Sequence, residues 1–406
     1  MKVLVLNAGS SSQKSCLYEL AAPLPQIPPE PLWAAALEWQ DGSVWLRASN
    51  ASGAELERDL GAIGQSEAIA VLLETLWQGE TQAISQPEAV AAVGHRVVHG
   101  GATYRQPARV TAQLKADLRE LSELAPAHLP INLQGIEAIE RVLPQAPQVA
   151  VFDTAFHATL PAAAAAYSLP HAYWAQGVRR YGFHGISHQY CGQRAAQLLG
   201  REAQELQLIT CHLGNGASLA AIRNGRCVDT TMGYTPLEGL VMGTRSGSLD
   251  PGILIHLMRQ GYDADALERL LNQESGLKGL SGVSGDMRAV REAMDRGNAQ
   301  AQLAFDVYCH RLRFHIGAML ASLDRLDALV FAGGVGENVP QVRAAGCQAL
   351  AFLGLQLDAR QNQANPADAD IAAADSPIRV LTVRTQENWG IARACWQLLS
   401  GERSPS

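Results

Sequence analysis

The chain has 406 residues, a formal net charge of −7 and a sequence pI near 5.9. Hydrophobic residues make up 47% and charged residues 17%, which excludes a disordered chain and, at about 100–200 residues per domain, points to two domains that can each bury a core. The acidic balance, with no strong basic cluster, excludes a nucleic-acid partner held by phosphate electrostatics.

The opening MKVLVLNAGSSS has an apolar run that stops at Asn7, too short for a secretory segment, and no later run approaches the roughly 18 residues of a membrane span. Neither export nor membrane insertion is expected. Residues 2–7 end in a Gly/Ser turn and 13–19 resume an extended pattern, so the start reads as a β-hairpin. Residues 22–31 carry five prolines and form an exposed loop. Strands at 33–39 and 43–48 flank Asp41-Gly42, a two-residue hairpin signal. Helical periodicity follows at 66–78, 113–124 and 131–142, with buried strands at 89–94 and 148–152.

A similar order then returns: strand 206–212, a Gly-rich turn at 214–216, strand 217–222, the turn Asn224-Gly225 and strand 226–231. Helices cover 252–260, 264–273, 287–296 and 299–323. Strands at 327–332 and 378–383 bracket a helix at 339–350 and a loop rich in Ala, Asp, Asn and Pro, before a last helix at 388–400. The recurrence suggests two similar α/β domains facing each other across a cleft, and the tail GERSPS reads as disordered. Cys16, Cys191, Cys211, Cys227, Cys309, Cys347 and Cys395 lie far apart with no CxxC pair, which reads as neither a disulfide framework nor a zinc site and fits a reducing cytoplasm.

Glycine-bearing segments carry the first chemical signal. In Asn7-Ala8-Gly9-Ser10-Ser11-Ser12-Gln13-Lys14, Gly9 permits a tight turn, the backbone amides and serine hydroxyls can donate to phosphate oxygens, and Lys14 adds charge. An ordinary Ser/Gly hairpin turn fits the same residues, and no GxxxxGK[ST] occurs in the chain, so this is not a Walker A loop. His212-Leu213-Gly214-Asn215-Gly216-Ala217-Ser218 occupies the matching strand-turn-strand place in the second half, a pairing that suits a polyphosphate. Ala332-Gly333-Gly334-Val335-Gly336-Glu337-Asn338 follows a buried strand and opens a helix, where glycines let a nucleotide approach the backbone.

These segments stand in order with GHRVVHGG (94–101), VFDTAFH (151–157), RRYGFHGISH (179–188), MGYTPLEGLVMGTRSGSLDPG (232–252) and SGVSGDMR (281–288). Together they resemble the motifs of the acetate kinase family, in that family's order and over nearly the whole chain. The family belongs to the superfamily of sugar kinases, actin and large heat-shock chaperones. The resemblance implies an α/β fold of two ribonuclease H-like (actin-like ATPase) domains around a central cleft, residues 1–152 plus 386–406 and residues 153–385, the latter binding nucleotide. It implies reversible, direct in-line transfer of the ATP γ-phosphoryl group to acetate, giving acetyl phosphate and ADP. A cytoplasmic homodimer using Mg²⁺, or Mn²⁺ in its place, is the corresponding expectation, with a small carboxylic acid and an adenine nucleotide as its partners.

By that resemblance Arg96 and Arg245 bind the carboxylate and the moving phosphoryl group, which call for fixed bidentate donors. His184 donates to an equatorial oxygen in the transition state, His128 supports it, and Asp153 orients an arginine or a metal-bound water. A lone Asp there would otherwise read as a cap. Asn7 and Glu387 match the magnesium contacts, in keeping with a metal held by few protein oxygens. Ser10, Ser12, Lys14, His212, Gly214, Asn215, Gly216, Asp286, Arg288, Gly333, Gly334, Gly336 and Asn338 match positions around ATP. His95, His99, His157 and His188 are read as structural and the cysteines as core.

The chain also departs from the family pattern. Leu124-Ala125-Pro126-Ala127-His128-Leu129-Pro130-Ile131-Asn132 stands where the family usually reads LAPLHNPPN. The methyl group of acetate is expected in an apolar pocket walled by Val98, Phe183, Pro236 and residue 127, where alanine in place of leucine removes three carbons. Ile186 replaces a usual threonine, and Gln386-Glu387-Asn388 replaces Asn-Glu-Glu or Asn-Glu-Asp. Which acid is bound stays open, with a propionate or other short-chain acyl kinase of the same fold as the alternative. A non-catalytic, nucleotide-switched binding module is the remote alternative, and such a switch needs no acid-binding arginines.

Overall fold

A computed structural model describes residues 1–9, 12–40, 42–126 and 128–401. Ser10, Asp41, Ala127 and residues 402–406 of the tail, all singled out above, lie outside the described residues. The chain forms two compact units, Met1–Ala155 with the chain from Gln386 onward, and Phe156–Thr385.

The first unit carries β1 (Lys2–Ala8), β2 (Ser12–Glu19), β3 (Trp33–Gln40), β4 (Ser43–Asn50), β5 (Glu55–Asp59), β6 (Ala92–Val97), β7 (Ala108–Arg109) and β8 (Gln148–Phe152), in the sheet order β5-β4-β3-β2-β1-β6-β8-β7. Strands β1 to β5 run antiparallel as a meander, while β6 is parallel to both β1 and β8. Gln40 pairs with Ser43 across the expected two-residue turn. One face buries Leu4, Leu6, Leu17, Trp33 and Leu37 against Ile69, Leu72 and Leu76 of helix Gln65–Trp77 and Ile139 of helix Leu129–Val142. Each such side chain contributes about 1.5–3 kcal/mol on burial. Helix Glu387–Ser400 packs against β6 closely enough that a Cβ on Gly94 would lie 2.8 Å from Ile391 Cγ2, so glycine sets that approach.

The second unit carries β9 (Gln207–Leu213), β10 (Ala217–Arg223), β11 (Arg226–Thr230), β12 (Ala328–Ala332), β13 (Ala369–Asp370) and β14 (Arg379–Thr382), in the order β11-β10-β9-β12-β14-β13. Asn224 and Gly225 both take positive φ, 55° and 76°, the type I′ geometry that joins β10 to β11. Aspartate or asparagine caps helices Pro251–Arg259, Ala264–Gln273, Met287–Asp295 and Ala299–Leu320 through Asp250, Asp263, Asp286 and Asn298. With edge additions set aside, β3-β2-β1-β6-β8 and β11-β10-β9-β12-β14 share one order and one pattern of directions, three antiparallel strands followed by two parallel ones. Both units are ribonuclease H-like. Among the described residues no helix is long and apolar enough to cross a membrane.

Differences from the sequence reading have local causes. The strand expected at 89–94 begins at Ala92 and runs through His95 and Arg96, because Pro87–Ala89 forms a 3₁₀ turn and the polar side chains find buried partners. The polar edge strand β5, with the sequence ELERD, has no apolar alternation to announce it. Helix Gly185–Leu199, in a stretch where no element was expected, opens with Gly-Ile-Ser-His and lacks a side-chain cap.

Candidate active site

In the first unit the carboxyl ends of β1, β6 and β8 carry Asn7, Arg96 and Asp153. Asp153 lies just beyond β8, is 1% exposed, and donates its amide to Val97 O at 3.0 Å. Arg96 Nε and Nη2 donate to Asp153 Oδ2 at 3.0 and 2.6 Å, and Nη1 donates to Ala8 O at 3.0 Å. Among the described residues these contacts engage three of the guanidinium's five N–H groups, leaving one hydrogen on each terminal nitrogen for a ligand. Burial opposes the charge on Arg96, but the Asp153 and Glu387 carboxylates outweigh it and push its pKa further up. Burial also raises the Asp153 carboxyl, against the pull of Arg96. The result is a cation fixed in place and charged at any working pH.

Asn7 Nδ2 donates to Glu387 Oε2 at 3.1 Å and to Asn388 Oδ1 at 2.9 Å, at the first turn of helix Glu387–Ser400. The Asn7 carbonyl and Glu387 carboxylate are a hard oxygen donor set, which fits Mg²⁺ completed by phosphate and water. Among the described residues there is no cluster of three or more His, Cys, Asp or Glu that could hold a metal. Gly9 N donates to Ser12 O at 2.8 Å to close the turn, and Lys14, paired with Asn7 in the ladder, is exposed. His128 precedes helix Leu129–Val142 as its N-cap residue. Val98 is buried, and its amide donates to Asn132 Oδ1 at 3.0 Å.

In the second unit His184 sits at the N-cap of helix Gly185–Leu199 with φ 56° and ψ 25°, a left-handed conformation that costs a non-glycine residue energy and concentrates at functional sites. Its ring stacks on His212 with centroids 4.3 Å apart, and its Nδ1 lies 2.9 Å from Ser218 Oγ. Arg245 Nη1 donates to Pro236 O at 3.3 Å. A Cβ added to Gly216 would stand 3.3 Å from His184 Nε2 and 3.5 Å from Arg245 Nη1, so glycine keeps the space beside the imidazole and the guanidinium clear. Gly214 N donates to Gly216 O at 2.9 Å, and Asn215 O accepts from Gly243 N at 2.9 Å. Phe183 is buried, its carbonyl accepting from His157 Nε2 at 2.9 Å.

Gly333, with φ +77°, turns β12 into helix Gly333–Asn338, and a Cβ there would meet Leu213 O at 2.8 Å. Asn338 Nδ2 donates to Gly334 O at 2.9 Å, while Gly336 O accepts from Arg343. Asp286 accepts from Arg288 N at 2.8 Å as a helix cap and pairs with the exposed Arg288 guanidinium at 2.7 Å. The turns β1–β2 and β9–β10 hold equivalent places in the two sheets. The fixed cation and hard oxygen donors of the first unit, and the clear glycine turns of the second, each suit anionic, phosphate-bearing ligands.

Residues 2–393 match the model of the acetokinase family. The chain belongs to that family. It is 58% identical over 411 residues to the acetate kinase of Gloeobacter violaceus, covering 98% of this chain and 100% of the relative. Among solved structures it is similar to the acetate kinase of Porphyromonas gingivalis, at 39% identity and TM-score 0.88, covering 98% of this chain and 99% of that one. It is also similar to a propionate kinase of Francisella tularensis, at 33% identity and TM-score 0.88, covering 97% and 98%.

Several residues inside the acetokinase motifs have contacts that the sequence reading left without a role. Glu337 Oε1 accepts from Gly333 N at 3.0 Å and Thr385 N at 3.1 Å, so it holds the glycine turn to the segment after β14. Asn132 fixes the Val98 amide, and Ser218 touches His184. Their signal was a polar side chain in a buried or glycine-rich motif. Arg343 has no such signal, since nothing in its local sequence separates it from a surface arginine.

Proposed function

We propose that the protein is an acetate kinase, moving the γ-phosphoryl group of ATP to acetate by direct in-line displacement to give acetyl phosphate and ADP, and running in both directions. The observation that carries this reading is the full-length likeness to an acetate kinase at 58% identity. The chemistry asks for alignment and charge neutralisation rather than a general base, because a carboxylate is already a competent nucleophile. Arg96 supports that role with two N–H groups directed by its anchors on Asp153 and Ala8, and Asp153 acts as its positioning residue. Arg245 is the second guanidinium for the carboxylate and phosphoryl oxygens, and His184 donates a hydrogen bond to an equatorial oxygen with His128 in support.

Asn7 and Glu387 would hold Mg²⁺, or Mn²⁺ in its place, which when bound neutralises phosphate charge. Ser12 and Lys14 serve the phosphates, and His212, Gly214, Asn215, Gly216, Asp286, Arg288, Gly333, Gly334, Gly336 and Asn338 surround the nucleotide. Val98, Phe183 and Pro236 face the acid's alkyl group. Free cysteines, all buried, support a reducing cytoplasm. Ile253, Ile255 and Met258 on one helix and Leu303 and Phe314 on another are exposed, apolar side chains of the kind a homodimer covers. Sedimentation at roughly twice the 43.4 kDa chain mass is the expected result.

Propionate is the second reading, favoured by alanine at 127 in place of leucine and by the likeness to a propionate kinase at TM-score 0.88. Initial rates with formate, acetate, propionate and butyrate separate the readings, one methylene being worth about 1–3 kcal/mol. Acetate should give the highest kcat/KM. A higher value for propionate replaces the acid, and ADP formation independent of any acid defeats the kinase reading.

A further inference from the structure

The segment MGYTPLEG, residues 232–239, lies in the loop between β11 and helix Pro251–Arg259. Within it Pro236 offers the acid a ring for its alkyl group and lends its carbonyl to Arg245 Nη1 at 3.3 Å. Glu238, two residues on, has no part in the reaction as described, yet it closes this loop at its base. Its Oε1 accepts from Arg180 Nη2 at 2.6 Å and its Oε2 from the Tyr167 hydroxyl. Tyr167 Oη in turn accepts from Tyr234 N at 2.8 Å, and Arg180 Nη1 donates to Thr231 O at 3.0 Å. One carboxylate therefore ties residue 238 back to residues 231 and 234 through two side chains from an earlier part of the chain.

The polarity of these bonds follows from the groups themselves. A backbone amide and a guanidinium only donate, and a carboxylate only accepts. Burial, with Glu238 alongside, raises the Tyr167 pKa above its ordinary value, so the phenol keeps the proton it donates. The Arg180 and Glu238 side chains are 16% and 34% exposed, a sheltered and charge-assisted pair rather than a solvated surface bridge. Tyr167 and Arg180 stand on a common frame, because Ala166 and Arg179 form a β-bridge and Arg180 N donates to Ala165 O at 2.7 Å. A Cβ on Gly233 would collide with both Glu238 Oε2 and Tyr167 Oη, so glycine lets the two meet over this backbone. The Gly233 carbonyl accepts from Tyr181 N at 3.0 Å, which docks the loop on the residues leading to Phe183 and His184.

We propose that Glu238, held by Arg180 and Tyr167, is a positioning residue that closes the loop over residues 231–238, fixes Pro236 in place and so helps to set the length of acid the enzyme accepts. This rests on the reading of Pro236 and Arg245 as residues that meet the acid. With the base of the loop tied, Pro236 is a wall that cannot retreat, and an added methylene must compress it. With the base untied the wall yields, a longer acid gains burial, and the carbonyl that anchors Arg245 shifts with it.

The test is initial rates of the full-length enzyme with acetate and with propionate at saturating ATP, for wild type, Glu238→Ala, Glu238→Gln and Tyr167→Phe. The ratio of kcat/KM for propionate to that for acetate is read within one preparation, so any inactive fraction cancels and a merely structural loss leaves it unchanged. Glu238→Ala should raise this ratio roughly fivefold or more and lower kcat/KM for acetate about 10- to 100-fold, with the KM for ATP within about twofold of wild type. Glu238→Gln still accepts from Arg180 and should return most of the wild-type ratio. Tyr167→Phe loses one hydroxyl, should move the ratio the same way by a smaller factor, and carries the test if Glu238→Ala does not fold. A propionate-to-acetate ratio unchanged in Tyr167→Phe and in any folded Glu238→Ala enzyme overturns the proposal, as does a shift toward acetate. Pro236→Ala separates the two layers: an unchanged ratio there as well removes the underlying reading of Pro236, whereas a shift in Pro236→Ala alone removes only the role of Glu238.

Discussion

Arg96 in the first unit and Arg343 in the second are both largely withdrawn from water, but their partners differ in kind. Arg96 pairs with a carboxylate, and Asp153 and Glu387 hold its pKa up against burial. Arg343 is 0% exposed and meets only neutral oxygens: Nε donates to Asn362 Oδ1, Nη1 to Gly336 O and Glu337 O, and Nη2 to Asn362 O and Asn365 Oδ1. Burial brings its pKa down to about 10. Every N–H of Arg343 is engaged, so it has nothing to offer a ligand, and its work is to tie the end of helix Gly333–Asn338 to Asn362 and Asn365. Arg96 is oriented by its anchors yet keeps donors in hand. If Arg96 binds substrate as proposed, the number of donors left over, more than burial or charge, is what separates it from Arg343.

The largest effect should come from Arg96→Ala, with kcat reduced roughly 10³-fold or more, in line with catalytic arginines of phosphoryl transfer, in a protein that stays folded at assay temperature though with a lower thermal midpoint, because the buried Asp153 carboxylate loses its partner. Arg96→Lys should not rescue it, because an ammonium cannot copy the fork. If the variant keeps more than about a tenth of wild-type kcat, the contrast with Arg343 is lost. Arg343→Met should do the reverse, costing about 3 kcal/mol or more of stability by stranding buried acceptors, read as a lower urea midpoint. A stable Arg343→Met enzyme with poor turnover would move Arg343 into the substrate-binding class.

Buried histidines sharpen the same comparison, since they give up charge where the arginines keep it. Burial holds His95, His99 and His157 at about 4, against an unperturbed 6.5. The unfolded chain binds more protons between those values, so stability is full above pH 6.5 and falls as pH drops toward 4. Each histidine should cost about 1 kcal/mol between pH 7.5 and 5.5, and a flat urea midpoint over that range would contradict their neutral burial. The smallest effect is expected from Glu387→Ala, a several-fold rise in the Mg²⁺ concentration for half-maximal rate. An unchanged magnesium dependence would take Glu387 away from the metal and leave its hydrogen bond from Asn7 and its charge beside Arg96 as its part in the site.

Local features of this molecule were legible in the sequence, and long-range pairings were not. The hairpins at Asn224-Gly225 and after Ala8 announce themselves by turn chemistry, and the motifs holding Arg96, Asp153, His184 and Arg245 are contiguous in the chain. The bounds of β6 were misread because an apolar pattern stops at His95, whose partner Gln148 lies 53 residues away. The Ser218–His188 link and the five anchors of Arg343 likewise join residues whose meeting depends on sheet order. Periodicity carries no information about such meetings.

The central claim is that an acid's carboxylate receives the phosphoryl group under the hold of Arg96. Acetate-dependent ADP formation, with acetyl phosphate trapped as the hydroxamate and wild type and Arg96→Ala compared side by side, tests it most directly. Equal amounts of ADP and hydroxamate from the wild-type protein, and a loss of roughly 10³-fold or more in both for the variant, are the predicted result. ADP without hydroxamate, or hydroxamate formed undiminished by the variant, would contradict it.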